Sequence, residues 1–161
     1  MQLGTTSKTF FPGVRLGWAA GPADVSAQLV AAKQNTDQCA AALGQRMFEE
    51  YVRRGWIDEQ LVRSRALYRR KCERMLAALE RHMPAAVRWT SPEGGFFSWL
   101  TLPEGGDAAD LAKRAVEQGV GVLPGAAFFP DGRGGDNVRL SFSTVDESLI
   151  DEGIERLASL V

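Results

Sequence analysis

The amino-acid sequence predicts an α/β fold on three observations. Short strand-like apolar runs recur along the chain, stretches with apolar residues three and four apart lie between them, and glycine, proline or a capping residue marks the junctions. Residues 2–6 read as the end of a strand and residues 14–20 as a second strand, with a loop between them. Pro22 and Ala23 open a helix that runs to about Asn35. A second helix starts near Cys39, carries Leu43, Met47 and Tyr51 on one face, and ends at Gly55 as a C-cap. A long helix follows over residues 57–82. Its apolar positions Ile57, Leu61, Tyr68, Cys72, Met75, Leu79 and then Met83 fall at gaps of three, four and seven, and form one core-facing stripe.

After Pro84 the texture changes. Residues 87–89 and 96–102 read as strands around the turn Ser91-Pro92-Glu93-Gly94-Gly95. Asp107 caps a helix that ends at Gly119. Residues 121–123 form a short strand running into Pro124-Gly125, and residues 137–143 form another. Residues 132–135 read as a flexible loop tip. Thr144-Val145-Asp146-Glu147 fits a capping box and starts a last helix with Leu149, Ile150, Ile154, Leu157 and Val161 inward. The predicted division of the chain falls inside the long helix. Residues 1–58 are the last part of one domain, and residues 59–161 form a complete small α/β domain.

The totals exclude several function classes. Acidic and basic residues nearly cancel to a formal charge of -1, and no basic stripe is interleaved with aromatics, so nucleic-acid binding by this segment has no support. The cluster Arg63, Arg65, Arg69, Arg70, Lys71 and Arg74 is balanced at helical spacing by Glu73 and Glu80, and reads as a solvated helix face. Cys39 and Cys72 have no metal or redox spacing and read as reduced thiols of a cytoplasmic protein. No apolar run reaches the ~20 residues of a membrane span, and no signal peptide opens the sequence. His82 reads as a surface residue at a helix end, which leaves no histidine for catalysis and no metal site.

Three segments carry chemistry. In Thr5-Thr6-Ser7-Lys8-Thr9-Phe10-Phe11-Pro12-Gly13-Val14-Arg15, hydroxyls precede a lysine, and an arginine follows it by seven positions. Hydroxyls and a guanidinium hold phosphates. A lysine amine beside a phosphate site is suited to condense with an aldehyde cofactor, so the set points to pyridoxal phosphate. A turn between strands with a surface lysine also fits these residues. In Asn137-Val138-Arg139-Leu140-Ser141-Phe142, alternation puts Val138, Leu140 and Phe142 on one side and Arg139 on the other. A buried arginine there needs an anion, for which a carboxylate is the matching fork; an exposed arginine on a half-wet strand is the alternative. Pro124-Gly125-Ala126-Ala127-Phe128-Phe129 suits a loop passing close to a ligand, or a turn with buried aromatics. Phe10, Phe11, Phe128 and Phe129 suit either a pocket for aromatic or long aliphatic side chains or core packing.

These segments, in this order, resemble the C-terminal half of class I/II aminotransferases, the fold-type-I pyridoxal-phosphate enzymes. The resemblance is closest to the 2-aminoadipate and aromatic aminotransferase group and to the aminotransferase-like domain of GntR/MocR-type transcriptional regulators. It covers essentially the whole chain. Its anchors include Ser7-Lys8-Thr9, Pro12-Gly13-Val14-Arg15-Leu16-Gly17-Trp18, Lys33-Gln34, Pro92-Glu93-Gly94-Gly95-Phe96-Phe97-Ser98-Trp99, Pro124-Gly125-Ala126-Ala127-Phe128 and Asn137-Val138-Arg139-Leu140-Ser141-Phe142-Ser143. The implied fold is the end of the large cofactor-binding domain (residues 1–58) followed by the small α/β domain (residues 59–161).

The resemblance implies residue roles. Lys8 is the Schiff-base lysine and the proton shuttle between Cα and C4′. Thr5, Ser7 and Arg15 contact the cofactor phosphate, and Arg139 binds the substrate α-carboxylate. The implied reaction moves an amino group between an L-amino acid and a 2-oxo acid, and the implied full-length state is a homodimer. The family's first half normally supplies a ring-stacking aromatic, an asparagine and an aspartate for the pyridinium nitrogen, and none is assignable here. The chain therefore reads as a fragment, and little or no transaminase activity is expected of it in isolation. The alternative is the cofactor-binding effector domain of a regulator, which would bind without turnover.

Overall fold

In the computed structural model, which describes residues 1–161, Gln2–Thr5 (β1) pairs antiparallel with Gly17–Ala20 (β2), Gln2 opposite Ala20 and Thr5 opposite Gly17. A 3-10 turn, Pro12–Val14, lies in the connection. Two helices follow, Ala23–Thr36 (α1) and Ala42–Arg53 (α2). These elements and the start of α3 make up one compact unit, Met1–Arg65. Helix α1 buries none of its residues. Helix α2 starts later than its expected position near Cys39, because Ala41, at φ -53° and ψ 118°, is still outside helical geometry. Of the expected face, Leu43 and Met47 are exposed, while Tyr51 is half-buried. Tyr51 packs against Phe10 at 4.9 Å between ring centroids and against Trp56 at 5.8 Å, and Phe10 also meets Phe48 at 5.3 Å. This aromatic cluster fastens the β1–β2 connection to α2. Gly55, with φ 74°, ends the helix as its position predicts.

Trp56–His82 (α3) runs from the first unit into the second, Ala66–Val161. The second unit contains strands Arg88–Trp89 (β3), Phe97–Thr101 (β4), Leu123–Pro124 (β5) and Asn137–Ser141 (β6), and helices Ala108–Glu117 (α4) and Ile150–Ala158 (α5). The sheet order is β3-β4-β6-β5, with every neighbouring pair antiparallel. Since β4 and β5 both run against β6, they run the same way as each other, and α4 is the crossover between them. The unit is a split βαβ with β6 inserted, which is how an alternating order of strands and helices yields antiparallel neighbours.

The core joins one sheet face to three helices. Leu100, Val138 and Leu140 meet Met75 and Leu79 of α3, Leu111 and Ala115 of α4, and Ile150, Ile154 and Leu157 of α5. Asp107 caps α4 as expected, accepting from the backbone N–H groups of Ala109 at 2.8 Å and Asp110 at 3.0 Å.

Several expectations are corrected here. Lys71, placed on the solvated basic face, is 8% exposed, and its Nζ donates to the backbone carbonyls of Ser143 at 3.1 Å and Val145 at 2.6 Å. The cap before α5 is Asp146 rather than Thr144. Its carboxylate accepts from the Ser148 backbone N–H at 3.1 Å and from the Ser148 hydroxyl at 3.0 Å, and the first turn, Glu147–Leu149, is 3-10. That extra turn rotates Leu149 outward, and both it and Val161 are exposed, unlike their inward neighbours Ile150, Ile154 and Leu157. His82 is largely covered; its Nε2 is buried 3.5 Å from Asp151 Oδ2 without an aligned hydrogen bond. Strand β5 is Leu123–Pro124 rather than residues 121–123. The segment 132–135 is tied down where Gly135 accepts from the Ala108 N–H at 2.8 Å.

Two predictions follow from these contacts. Lys71→Met leaves two carbonyls without their charged donor, and is expected to lower unfolding stability by about 1–3 kcal/mol in urea melts. The Asp107 carboxyl is held below the ordinary carboxylate range by the N–H groups of Asp110 and Ala109, and the Asp146 carboxyl by the backbone N–H and then the hydroxyl of Ser148. With folded pKa values below unfolded ones, their contribution is present above the unfolded carboxylate value and is lost as pH falls through the folded one. Asn at either position still caps but does not titrate. Asp107→Asn with Asp146→Asn is therefore expected to flatten the acid limb of stability against pH.

Candidate functional site

The first group of chemistry-bearing side chains sits where β1 ends. The pivot is Thr6, only 3% exposed, whose backbone N–H and hydroxyl both donate to the carbonyl of Leu16, each at 3.0 Å. The Thr5 hydroxyl reaches the same carbonyl at 3.4 Å, and Thr5 and Ser7 flank the buried residue. Their hydroxyls are 3.0 Å apart, and the Ser7 N–H donates to Thr5 Oγ1 at 3.1 Å. The Thr6 carbonyl then accepts from Thr9 at 3.2 Å and Phe10 at 2.8 Å, which closes a turn around Lys8. Lys8 is exposed, and no carboxylate or carbonyl in the chain engages its amine.

Arg15 closes the same connection with φ 51° and ψ 45°, a left-handed conformation that costs a residue with Cβ roughly 1 kcal/mol. Its backbone N–H caps the 3-10 turn through the Pro12 carbonyl, and one guanidinium nitrogen, Nη1, donates to the same carbonyl at 3.3 Å. Its remaining donors have no protein acceptor. Thr5 and Ser7 are thus brought together, while Lys8 and Arg15 share their connection without bonding to each other. The set offers hydroxyls, an ammonium and a guanidinium with uncommitted donors, the chemistry of a phosphate or carbonyl ligand. Thr6, which organises it, was hidden in the sequence because three successive hydroxyls give no sign of which one is buried.

The second group lies on the sheet of the Ala66–Val161 unit. Val138, Leu140 and Phe142 are buried, as alternation predicts, and Arg139 is half-buried on the opposite face. Its guanidinium carbon lies 4.0 Å from the Phe97 ring centroid and 4.3 Å from that of Phe128, and its N–H donors have no acceptor in the protein. Trp99, paired with Arg139 in the β4–β6 register, sets its ring edge-on to Phe128 at 5.8 Å and to Phe129 at 6.0 Å. The 3-10 turn Gly125–Phe128 reaches this face because Gly125 has no side chain; a Cβ there would lie 2.5 Å from Asn137 Cβ and 2.8 Å from the Asn137 carbonyl oxygen. Phe97 and Trp99 belong to the anchor segment Pro92–Trp99 with no role attached in the sequence, and strand alternation puts them on the Arg139 face once β4 pairs with β6. Phe10 packs with Phe48 and Tyr51, whereas Phe11 and Phe128 are exposed.

No cluster of three or more His, Cys, Asp or Glu side chains is arranged to hold a metal ion, and no helix is long and apolar enough to cross a membrane.

Residues 1–157 match the family model described as aminotransferase class I and II. The chain is 42% identical over 161 residues to aromatic-amino-acid aminotransferase 1 of Thermococcus litoralis, covering all of this chain and 39% of that protein. It superposes with TM-score 0.93 and 40% identity on a crystal structure of LysN, the α-aminoadipate aminotransferase of Thermus thermophilus complexed with N-(5'-phosphopyridoxyl)-L-leucine, covering 98% of this chain and 40% of that one. It is also 32% identical to the HTH-type transcriptional regulator TauR of Rhodobacter capsulatus, over 98% of this chain and 33% of the regulator. The chain thus spans about two fifths of the length of the aminotransferases it matches.

The strained backbone at Arg15 gives a local prediction. Arg15→Gly removes the left-handed penalty and Arg15→Ala keeps it, so the glycine variant is expected to be more stable than the alanine variant by about 1 kcal/mol in paired urea melts.

Proposed function

Because the chain belongs to the class I and II aminotransferase family, we propose that it carries the lysine and carboxylate-binding portions of a pyridoxal-phosphate-dependent aminotransferase that moves an amino group between an L-amino acid and a 2-oxo acid. The observation that carries this reading is the β1–β2 connection, in which an exposed, unengaged Lys8 occurs in the same short segment as the paired hydroxyls of Thr5 and Ser7 and the guanidinium of Arg15. The donor set fits the cofactor: hydroxyls and a guanidinium for a phosphate dianion, and a free amine for an aldehyde. When bound, pyridoxal phosphate supplies an electron-withdrawing ring that stabilises negative charge at the substrate Cα.

Each protein group then has one task. Thr5, Ser7 and Arg15 hold the phosphate. Lys8 Nζ takes the Cα proton of the amino acid. Arg139 forks the α-carboxylate through its in-plane donors, which orients the Cα–H bond. The proposal assigns residues 1–58 to a large cofactor-binding domain and residues 59–161 to the small domain of a homodimeric, cytoplasmic protein. The match to TauR supports a second reading, a regulator's effector domain that uses the same Lys8 set to hold the cofactor without turnover. The higher identity to aminotransferases favours the enzyme.

The test is to mix the chain with pyridoxal phosphate, record the visible spectrum, reduce with borohydride and map the labelled peptide. The expected result is a visible band lost in Lys8→Ala, weakened in Arg15→Ala, and a label concentrated on Lys8. Equal labelling of Lys8 and the other lysines would remove the basis of the proposal.

A further inference from the structure

We infer that Phe97 and Phe128 are positioning residues for Arg139, holding its guanidinium between their rings so that only its in-plane edge is offered to a carboxylate. The inference deepens the reading of Arg139 as the carboxylate group, and rests on it. Both rings lie within cation–π distance of the guanidinium, at 4.0 and 4.3 Å. Phe97 and Phe128 make no ring contact with each other, while Phe97 meets Phe96 at 6.4 Å and Phe128 meets Trp99 at 5.8 Å. They therefore approach Arg139 from different sides. A guanidinium presents donors only in its plane and a π-surface on its two faces. Aromatic rings satisfy the faces and compete for none of the donors.

The arrangement addresses a specific cost. An arginine side chain has many rotamers, and a freely moving guanidinium gives up that entropy on binding. No ion pair or hydrogen bond within the protein restrains Arg139, so restraint falls to the rings. Each ring is itself fixed. Phe97 projects from β4, whose register is locked to β6. Phe128 ends the turn that Gly125 allows against Asn137, and Trp99 braces it edge-on. Phe97 is 38% exposed and Phe128 44%, so each contact is expected to be worth about 0.5–1 kcal/mol, a change of about 2–5-fold in affinity.

The experiment observes the Arg139 Nε–Hε resonance of the full chain by NMR, assigned with Arg139→Lys. Two measurements are made: 15N relaxation of the ligand-free side chain, and a titration with 2-oxoglutarate. In the wild type the resonance is expected to be ordered and to shift saturably. In Phe97→Leu and Phe128→Leu the side chain is expected to become mobile and the affinity to fall about 2–5-fold, with backbone amide spectra otherwise retained. Phe97→Tyr and Phe128→Tyr, which keep the rings, are expected to restore both readouts. Unchanged Arg139 order in the leucine variants would overturn the clamp, whatever the titration shows. An ordered Arg139 that loosens in the leucine variants but never responds to 2-oxoglutarate would overturn the carboxylate assignment, and with it the recognition role inferred for the rings.

Discussion

The β4–β6 ladder is the constraint on which the Ala66–Val161 unit depends. Phe97 to Thr101 pair with Ser141 to Asn137 in one uninterrupted register. Side chains alternate along a strand, so this register sends Ser98, Leu100, Val138 and Leu140 into the core and leaves Phe97, Trp99 and Arg139 on the opposite face. A slip of one residue on β6 would exchange Leu140 for Arg139 at the core. Burial of an unpaired guanidinium costs several kcal/mol even after relaxation, and the lost burial of the apolar set adds to it. The core residues therefore specify which side chains share the Arg139 face as well as the stability of the unit.

The strand carrying Arg139 is also pinned at both ends. At its start, Asn137 receives the close approach of Gly125, and its amide donates to Thr101 Oγ1 at 3.1 Å. Beyond its end, Lys71 reaches from α3 to the carbonyls of Ser143 and Val145. An ammonium with three donors suits a turn whose carbonyls point inward with no strand partner. Lys71 is thus a buried structural cation, while Arg70 and Arg81 of the same helix pair at its exposed edge with Glu147 and Asp151.

The legible parts of the sequence were those written in short-range code. The strand alternation around Arg139, the Asp107 cap, the Gly55 stop and the core stripe of α3 at Met75 and Leu79, continued by Met83 just beyond the helix, all follow from spacing or from one residue's chemistry. The misreadings came where tertiary contact overrode local pattern. Lys71 belongs by spacing to a basic face, but its partners lie more than seventy residues away. Thr144 and Glu147 match a capping box, yet the side chain with the right backbone geometry is Asp146, extended at φ -61° and ψ 138°. Leu43 and Met47 follow helical spacing but no partner in the chain covers them. At the site, residue types were legible and their organisation was not, since the burial of Thr6 and the aromatic contacts of Arg139 depend on which strands pair.

The β1–β2 connection differs from the helices in leaving its cations without carboxylate partners. Lys33, Arg46, Arg53, Arg54 and Arg63 each pair with a carboxylate one helical turn away. Lys8 and Arg15 have no such partner, and the first acidic residue of the sequence is Asp24. No Asp or Glu lies within four positions of either residue in their segment. The hydrogen bonds that shape it run instead through Thr6, Leu16 and Pro12, and use backbone carbonyls rather than charges. A loop folded in this way keeps its positive charge available. Arg139 is likewise without a carboxylate partner, and its neighbours are the Phe97 and Phe128 rings. In both places most of the cation's donors stay uncommitted, the condition an anionic ligand would need in order to engage them.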